Sequence, residues 1–147
     1  MDFSKFDKQV DIEGLKKDIK DAEQNTGDFK EVPLGSYEVK ITKLELAESK
    51  KGDPMVKVWF KIVSGEYKGS TLFLNQVITH GFQIHIVDNL LRSLESGLEI
   101  DFDSYSQYAE LLMDVFEAID GNFEYGLKYG ENKGFKTFEI YEVFELD

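Results

Sequence analysis

Between residues 55 and 63 the chain reads MVKVWFKIV, which sets Val56, Val58, Phe60 and Ile62 on one face of an extended chain and Lys57, Trp59 and Lys61 on the other. The pattern predicts a half-buried strand whose wet face holds a tryptophan between two cations. Upstream, over residues 36–48, the apolar side chains Tyr37, Val39 and Ile41 fall at odd positions and Leu44 and Leu46 at even ones. Such a slip inside one strand is what a β-bulge produces, and a bulge bends the strand. Residues 49–54 (SKKGDP) and 64–69 (SGEYKG) read as turns, and residues 70–79 as a third strand in which Leu72 and Leu74 alternate with Phe73 and Asn75.

The period then changes. Residues 82–94 carry Phe82, Ile86, Leu90 and Leu94 at helical spacing and stop before Ser96-Gly97; residues 105–119 carry Tyr108, Leu111, Leu112, Val115 and Ile119, with Asp103 or Ser104 as the N-cap. Strands return at residues 122–129, where Phe123, Tyr125, Leu127 and Tyr129 alternate strictly, and at 135–146, joined by GENKG at 130–134. Ahead of all this, Ile12, Leu15 and Ile19 with Asp11 as cap predict an amphipathic helix over residues 11–24, preceded by an arm holding Phe3 and Phe6. The expected organisation is an N-terminal arm and helix over residues 1–31, followed by one domain over 32–147. Three strands with a bent first member, two helices and a closing hairpin predict an α+β, mostly β fold. The expectation is a five-stranded, oligonucleotide-binding-like (OB-like) barrel, with the two-helix insertion between strands three and four and the N-terminal helix outside it.

Composition narrows the chemistry. The chain of 147 residues contains no cysteine, which excludes disulfides, thiolate zinc clusters and thiol nucleophiles. His80 and His85 are the only imidazoles, at a spacing that fits neither one helix face nor a metal site. Asp101 and Asp103 begin like a calcium loop, but its sixth position is Ser106 and its twelfth Leu112, where glycine and glutamate belong. No nucleophile or phosphate-loop motif accompanies the many carboxylates, so the expectation is a protein that is not an enzyme and needs no cofactor or metal. No apolar run is long enough to cross a bilayer, and MDFSKFDKQVDIEG lacks the apolar segment of a secretory signal; a cytoplasmic location, that of the host if the protein is phage-encoded, is expected.

A net charge of -12 argues against a nucleic-acid partner until its distribution is read. Residues 36–83 hold seven lysines against five acids, whereas residues 84–120 hold one arginine against nine acids. The only net-positive stretch is therefore the one containing the Lys57-Trp59-Lys61 strand. A base can stack on an exposed indole while neighbouring ammonium groups meet phosphate, which points to single-stranded nucleic acid. In an OB-like barrel the ligand crosses strands two and three between the first and last hairpin loops. The candidate site is accordingly Lys57, Trp59 and Lys61 with Phe73 on strand three, Lys50 and Lys51 in the first loop, and Lys133 and Lys136 around the last. Two stacked bases at about 1 to 3 kcal/mol each, with a few phosphate contacts, suit roughly micromolar affinity, so a homo-oligomer is expected.

Two other readings of the same residues stay open. Outward lysines are ordinary on a half-buried strand, and the tryptophan could lie under a covering helix with the lysines reaching past it to water. For the whole protein, the rival is an acidic interaction module that binds a host or phage protein, with its carboxylate surface imitating DNA. The closing residues EVFELD loosely resemble the acidic, Phe-containing tails of bacterial single-strand binders, yet they also read as the plain end of the last strand.

Several runs carry a family likeness: DFSKFD, LGSYEVKITKLEL, KKGDPMVKVWFKIVSGEYKG, NQVITHGFQIHI, EYGLKYGENKGF and EVFEL. The chain resembles a family of small phage and prophage proteins of unknown function that are often found among replication and recombination genes. Its members are frequently suspected of binding single-stranded DNA. The resemblance implies a non-catalytic phage-type single-stranded DNA-binding protein acting in replication or recombination; the acidic charge of the two helices adds the expectation that they meet other replication or recombination proteins. It assigns no individual site residue.

Overall fold

The computed structural model describes residues 31–147; the helix expected over residues 11–24 and the arm before it lie outside the described residues. Five strands, β1 (Gly35–Glu48), β2 (Pro54–Ile62), β3 (Thr71–Val77), β4 (Phe123–Asn132) and β5 (Phe135–Glu145), form one antiparallel sheet in the order β3-β2-β1-β4-β5. The helices α1 (Gly81–Ser93) and α2 (Tyr105–Ile119) lie between β3 and β4 in the chain, where the 3.6-residue spacing predicts them.

Strand β1 organises the sheet. Its first part, Gly35 to Val39, pairs with β4 and the part from Val39 to Glu48 pairs with β2. The change of phase read from the sequence is a real irregularity: the register steps from Ile41 opposite Phe60 to Lys43 opposite Trp59, leaving Thr42 as the extra residue. A bulge adds local twist and bend, and this one lies just past the point where β1 leaves β4.

The bend rolls the sheet until its inner face meets itself. Phe138 of β5 stacks on Phe60 of β2, with ring centroids 5.4 Å apart and planes inclined by 13°, although β1 and β4 separate these strands in the sheet. The edges β3 and β5 are nonetheless not hydrogen-bonded to each other, so the sheet is not closed into the barrel that was expected. Helix α1 contacts both edge strands, and so lies at the seam that a closed barrel would have sealed with a ladder.

The interior is apolar and tightly specified. Val56, Val58, Phe60 and Ile62 are all fully buried, as their alternation predicts, and pack with Leu91 of α1, Leu94 just past its end, and Leu112 and Val115 of α2. Two tyrosines enter this core without leaving a polar atom unpaired: Tyr125 donates to the carbonyl of Leu94 at 2.8 Å and Tyr108 donates to the Asp88 carboxylate. Helix α2 begins at Ser104, whose hydroxyl accepts the backbone N–H of Gln107 at 3.1 Å, one of the two caps the sequence allowed. The last hairpin differs from expectation. Instead of a five-residue connection, β4 runs on to Asn132 and turns through Lys133 and Gly134 alone, at φ 51° and 84°. Positive φ at both central residues makes the mirror-image turn that matches strand twist.

Candidate nucleic-acid interface

On β2 the outward residues are Lys57 and Trp59, both half-buried, and Lys61, exposed. Antiparallel pairing carries this stripe sideways into three cross-strand rows. Lys43, Trp59 and Phe73 form the middle row; Lys40, Lys61 and Thr71 lie on one side of it, and Glu45, Lys57 and Asn75 on the other.

The middle row is in contact throughout. Phe73 meets Trp59 edge to face, with centroids 5.3 Å apart and planes at 85°. The Lys43 ammonium sits 4.3 Å from the Trp59 ring centre and is ion-paired with Glu45 at 3.3 Å. Because Lys43 covers one face of the indole, the freest ring is Phe73, which is 56% exposed. The arrangement suits an aromatic ligand stacked on Phe73, with Trp59 holding that ring upright and Lys43 supplying charge beside it.

The outer row carries a second signal. Lys40 and Lys61 are opposite one another and both exposed. Like charges directly opposed across strands are destabilising, so an anion bridging the pair would relieve a standing repulsion. Four lysines and one glutamate thus surround the aromatic pair. The cationic surface ends beyond Lys43, where a cleft of about 410 Å³ separates β1 from Met113 and Phe116 of α2. The next stripe of that helix is Glu110, Asp114 and Glu117, all exposed.

The loop lysines are less tightly gathered. Lys50 and Lys51 are exposed on the β1–β2 turn, beyond the C-terminal end of β1. Lys133 is at the tip of the β4–β5 hairpin, which extends past the N-terminal end of β1 because Gly35 pairs with Tyr129 and β4 continues to Asn132. The two loops therefore bracket the rows from opposite ends rather than meeting. Lys136 binds Glu131 at 3.0 Å and lies 5.8 Å from the Tyr129 ring centre, so part of its charge is already met. Phe135, 77% exposed, stands between these two lysines.

The strand stripe in the sequence contains Lys57, Trp59 and Lys61, with Phe73 on the next strand, and the structure adds Lys40, Lys43 and Glu45 to the same face. The signal for the last three was the same change of phase in β1. Past the bulge the polar face switches to odd positions, which brings Lys43 and Glu45 round to join Lys40 on the face that Trp59 occupies.

These features belong to a mostly β domain with one curled antiparallel sheet and an aromatic and cationic outer face. The chain is a member of the family described as a protein of unknown function (DUF669), which matches residues 18–139. No curated protein matches it. Among the described residues, no helix is long and apolar enough to cross a membrane and no cluster of His, Asp and Glu could hold a metal ion.

Proposed function

We propose that the protein binds single-stranded DNA, without catalysis, across the outer face of β1, β2 and β3, in the manner of a phage protein of replication or recombination. The observation that carries this reading is the contiguous Lys43-Trp59-Phe73 row with Lys40, Lys57 and Lys61 around it. Exposed aromatic rings contribute stacking energy to any base, and lysines spaced along the strands meet successive phosphates. The strand connectivity supports it as well. A bent β1 that pairs with both β2 and β4, with a helix at the β3–β5 seam, supports reading the sheet as an open relative of the OB-like barrel, whose ligands cross strands two and three.

The acidic remainder of the molecule fits a confined site. Repulsion from α2 keeps a phosphate chain on the cationic rows, and the same field makes binding weaker than for a basic protein, while the phosphate contacts that do form are lost as salt rises. The test is titration of the intact chain with a labelled mixed-sequence oligonucleotide as salt is raised, reading Trp59 fluorescence and anisotropy together. Expected is an indole signal change at low salt that is lost as salt increases. Binding that leaves Trp59 unaltered, or no binding at low salt, refutes the reading.

A further inference from the structure

The two sides of β1 are covered over different lengths. Its ladder with β2 runs from Val39 to Glu48, whereas its ladder with β4 covers Gly35 to Val39 alone. Past Val39, among the described residues, no strand pairs with the side of β1 turned away from β2. Backbone directions on that stretch follow from the neighbouring strand. Ile62 turns both its N–H and its C=O towards β3, donating to Ser70 and accepting from Gly69, each at 2.8 Å. Directions alternate along an antiparallel strand, so Trp59 and Lys57 turn towards β1 and bond with Lys43 and Glu45 opposite them. Leu44 and Leu46 therefore direct their N–H and C=O groups to the open side. An unpaired row of backbone donors and acceptors is a template for one more strand.

Helix α2 faces this edge across the cleft of about 410 Å³, one wall of which is Thr42 to Leu46 and the other Ala109, Met113 and Phe116. Those three fall at helical spacing on one stripe, and Met113 is 65% exposed. A second cleft, of about 160 Å³, adjoins Lys40 and Ile41 on the same strand. From Lys40 to Leu46 the edge is about 20 Å long at roughly 3.3 Å per residue, the length of an ordinary strand. Leu44 is only 3% exposed, so the template is recessed beside α2, which guards it from unselective pairing. We propose that this edge takes up an extended peptide of a partner protein, apolar and basic in alternation, as an additional strand of the sheet. Hydrogen bonds to the backbone of Leu44 and Leu46 supply affinity, and the alternate side chains of the peptide supply selectivity. One set packs on Met113 and Phe116. Lysine or arginine in the other set meets Glu110, Asp114 and Glu117 on the next stripe of the helix, all exposed, with exposed Asp120 in the second cleft. The same carboxylates repel an acidic peptide.

The test offers the intact chain an array of random eight-residue synthetic peptides at low salt. Bound sequences should alternate apolar residues with lysine or arginine, and N-methylation of every second amide in them should weaken binding at least about tenfold, since it removes the ladder and keeps the side chains. Amide hydrogen exchange at Leu44 and Leu46 should slow when such a peptide is added. Met113→Lys, a change at an exposed position, should abolish binding with an unchanged circular dichroism spectrum. No bound peptide, bound peptides that are acidic, indifference to N-methylation, or equal binding by Met113→Lys would each overturn the proposal. Self-association that a bound peptide disperses would give the edge to a second copy of the chain instead, and overturn it too. Met113→Lys leaves Lys43, Trp59 and Phe73 in place, so its oligonucleotide titration reports on the DNA reading separately.

Discussion

Phe138 stacks on Phe60 across the interior of the sheet, 5.4 Å between ring centres, from a strand three places away in the sheet order. This contact does for the fold what a β3–β5 ladder would do in a closed barrel: it ties the two ends of the sheet together. Phe60 is fully buried and sits directly opposite Leu72, one row from Trp59 and Phe73. Curvature and site geometry therefore depend on the same side chain. Phe138→Ala is expected to cost about 3 kcal/mol, at the low end of the range for buried phenylalanine truncation because Phe138 is only partly buried. Urea denaturation read by Trp59 fluorescence would check it, and a loss under 1 kcal/mol would mean the sheet keeps its curl without the stack.

Phe73 and Trp59 should separate stacking from support. Phe73→Ala removes an exposed ring, so folding stability should hold nearly constant while DNA affinity falls by roughly 1 to 3 kcal/mol, the contribution of one stacked base. Trp59→Ala should weaken binding too, and also lower stability, because the indole is half-buried against Lys43 and Phe73. Paired affinity and unfolding measurements on both variants decide between these roles. Equal stability losses would place both rings in the core.

Charge changes in the flanking rows should move stability and affinity in opposite directions. Lys61→Gln relieves the repulsion with Lys40, so the free protein should gain a few tenths of a kcal/mol. The same change should reduce the dependence of log affinity on log salt by about one unit. Glu45→Gln should tighten binding at low salt by releasing Lys43 from its ion pair, with the gain vanishing at high salt. Oligonucleotide titrations at several salt concentrations would show both.

The buried tyrosines make the fold sensitive to alkali. Burial pushes the Tyr108 hydroxyl well above the ordinary tyrosine range, helped by its hydrogen bond to Asp88, and burial does the same to Tyr125. A folded-state pKa raised above the unfolded value means that the unfolded chain loses its protons first. The contribution of these two tyrosines to stability is then unchanged below about pH 10 and declines as pH rises above that value. Urea midpoints measured across this range should fall, and Tyr108→Phe with Tyr125→Phe should flatten the dependence. A flat profile in the unaltered protein would contradict it.

Much of the architecture was legible one element at a time. Alternation placed Val56, Val58, Phe60 and Ile62 inside and Trp59 outside, the phase change in β1 announced the bulge at Thr42, and helical spacing found α1 and α2 to within a residue or so. These features are local, because side-chain direction in a strand or helix follows from the backbone period alone. The turn at Lys133-Gly134 was harder, since a two-residue mirror turn and a longer loop share the same glycine signal.

Which residues face the core and which face water follows from the order of residues alone, because burying apolar area is favourable wherever a strand or helix has one apolar side. Which water-facing residues become neighbours depends instead on how the strands pair and curl. Lys43 meets Trp59 because the bulge set the register between β1 and β2, Phe73 meets it because β3 pairs in register with β2, and β3 and β5 stay unbonded because α1 occupies their seam. Register and closure depend on contacts between segments far apart in the chain, and no local period encodes them.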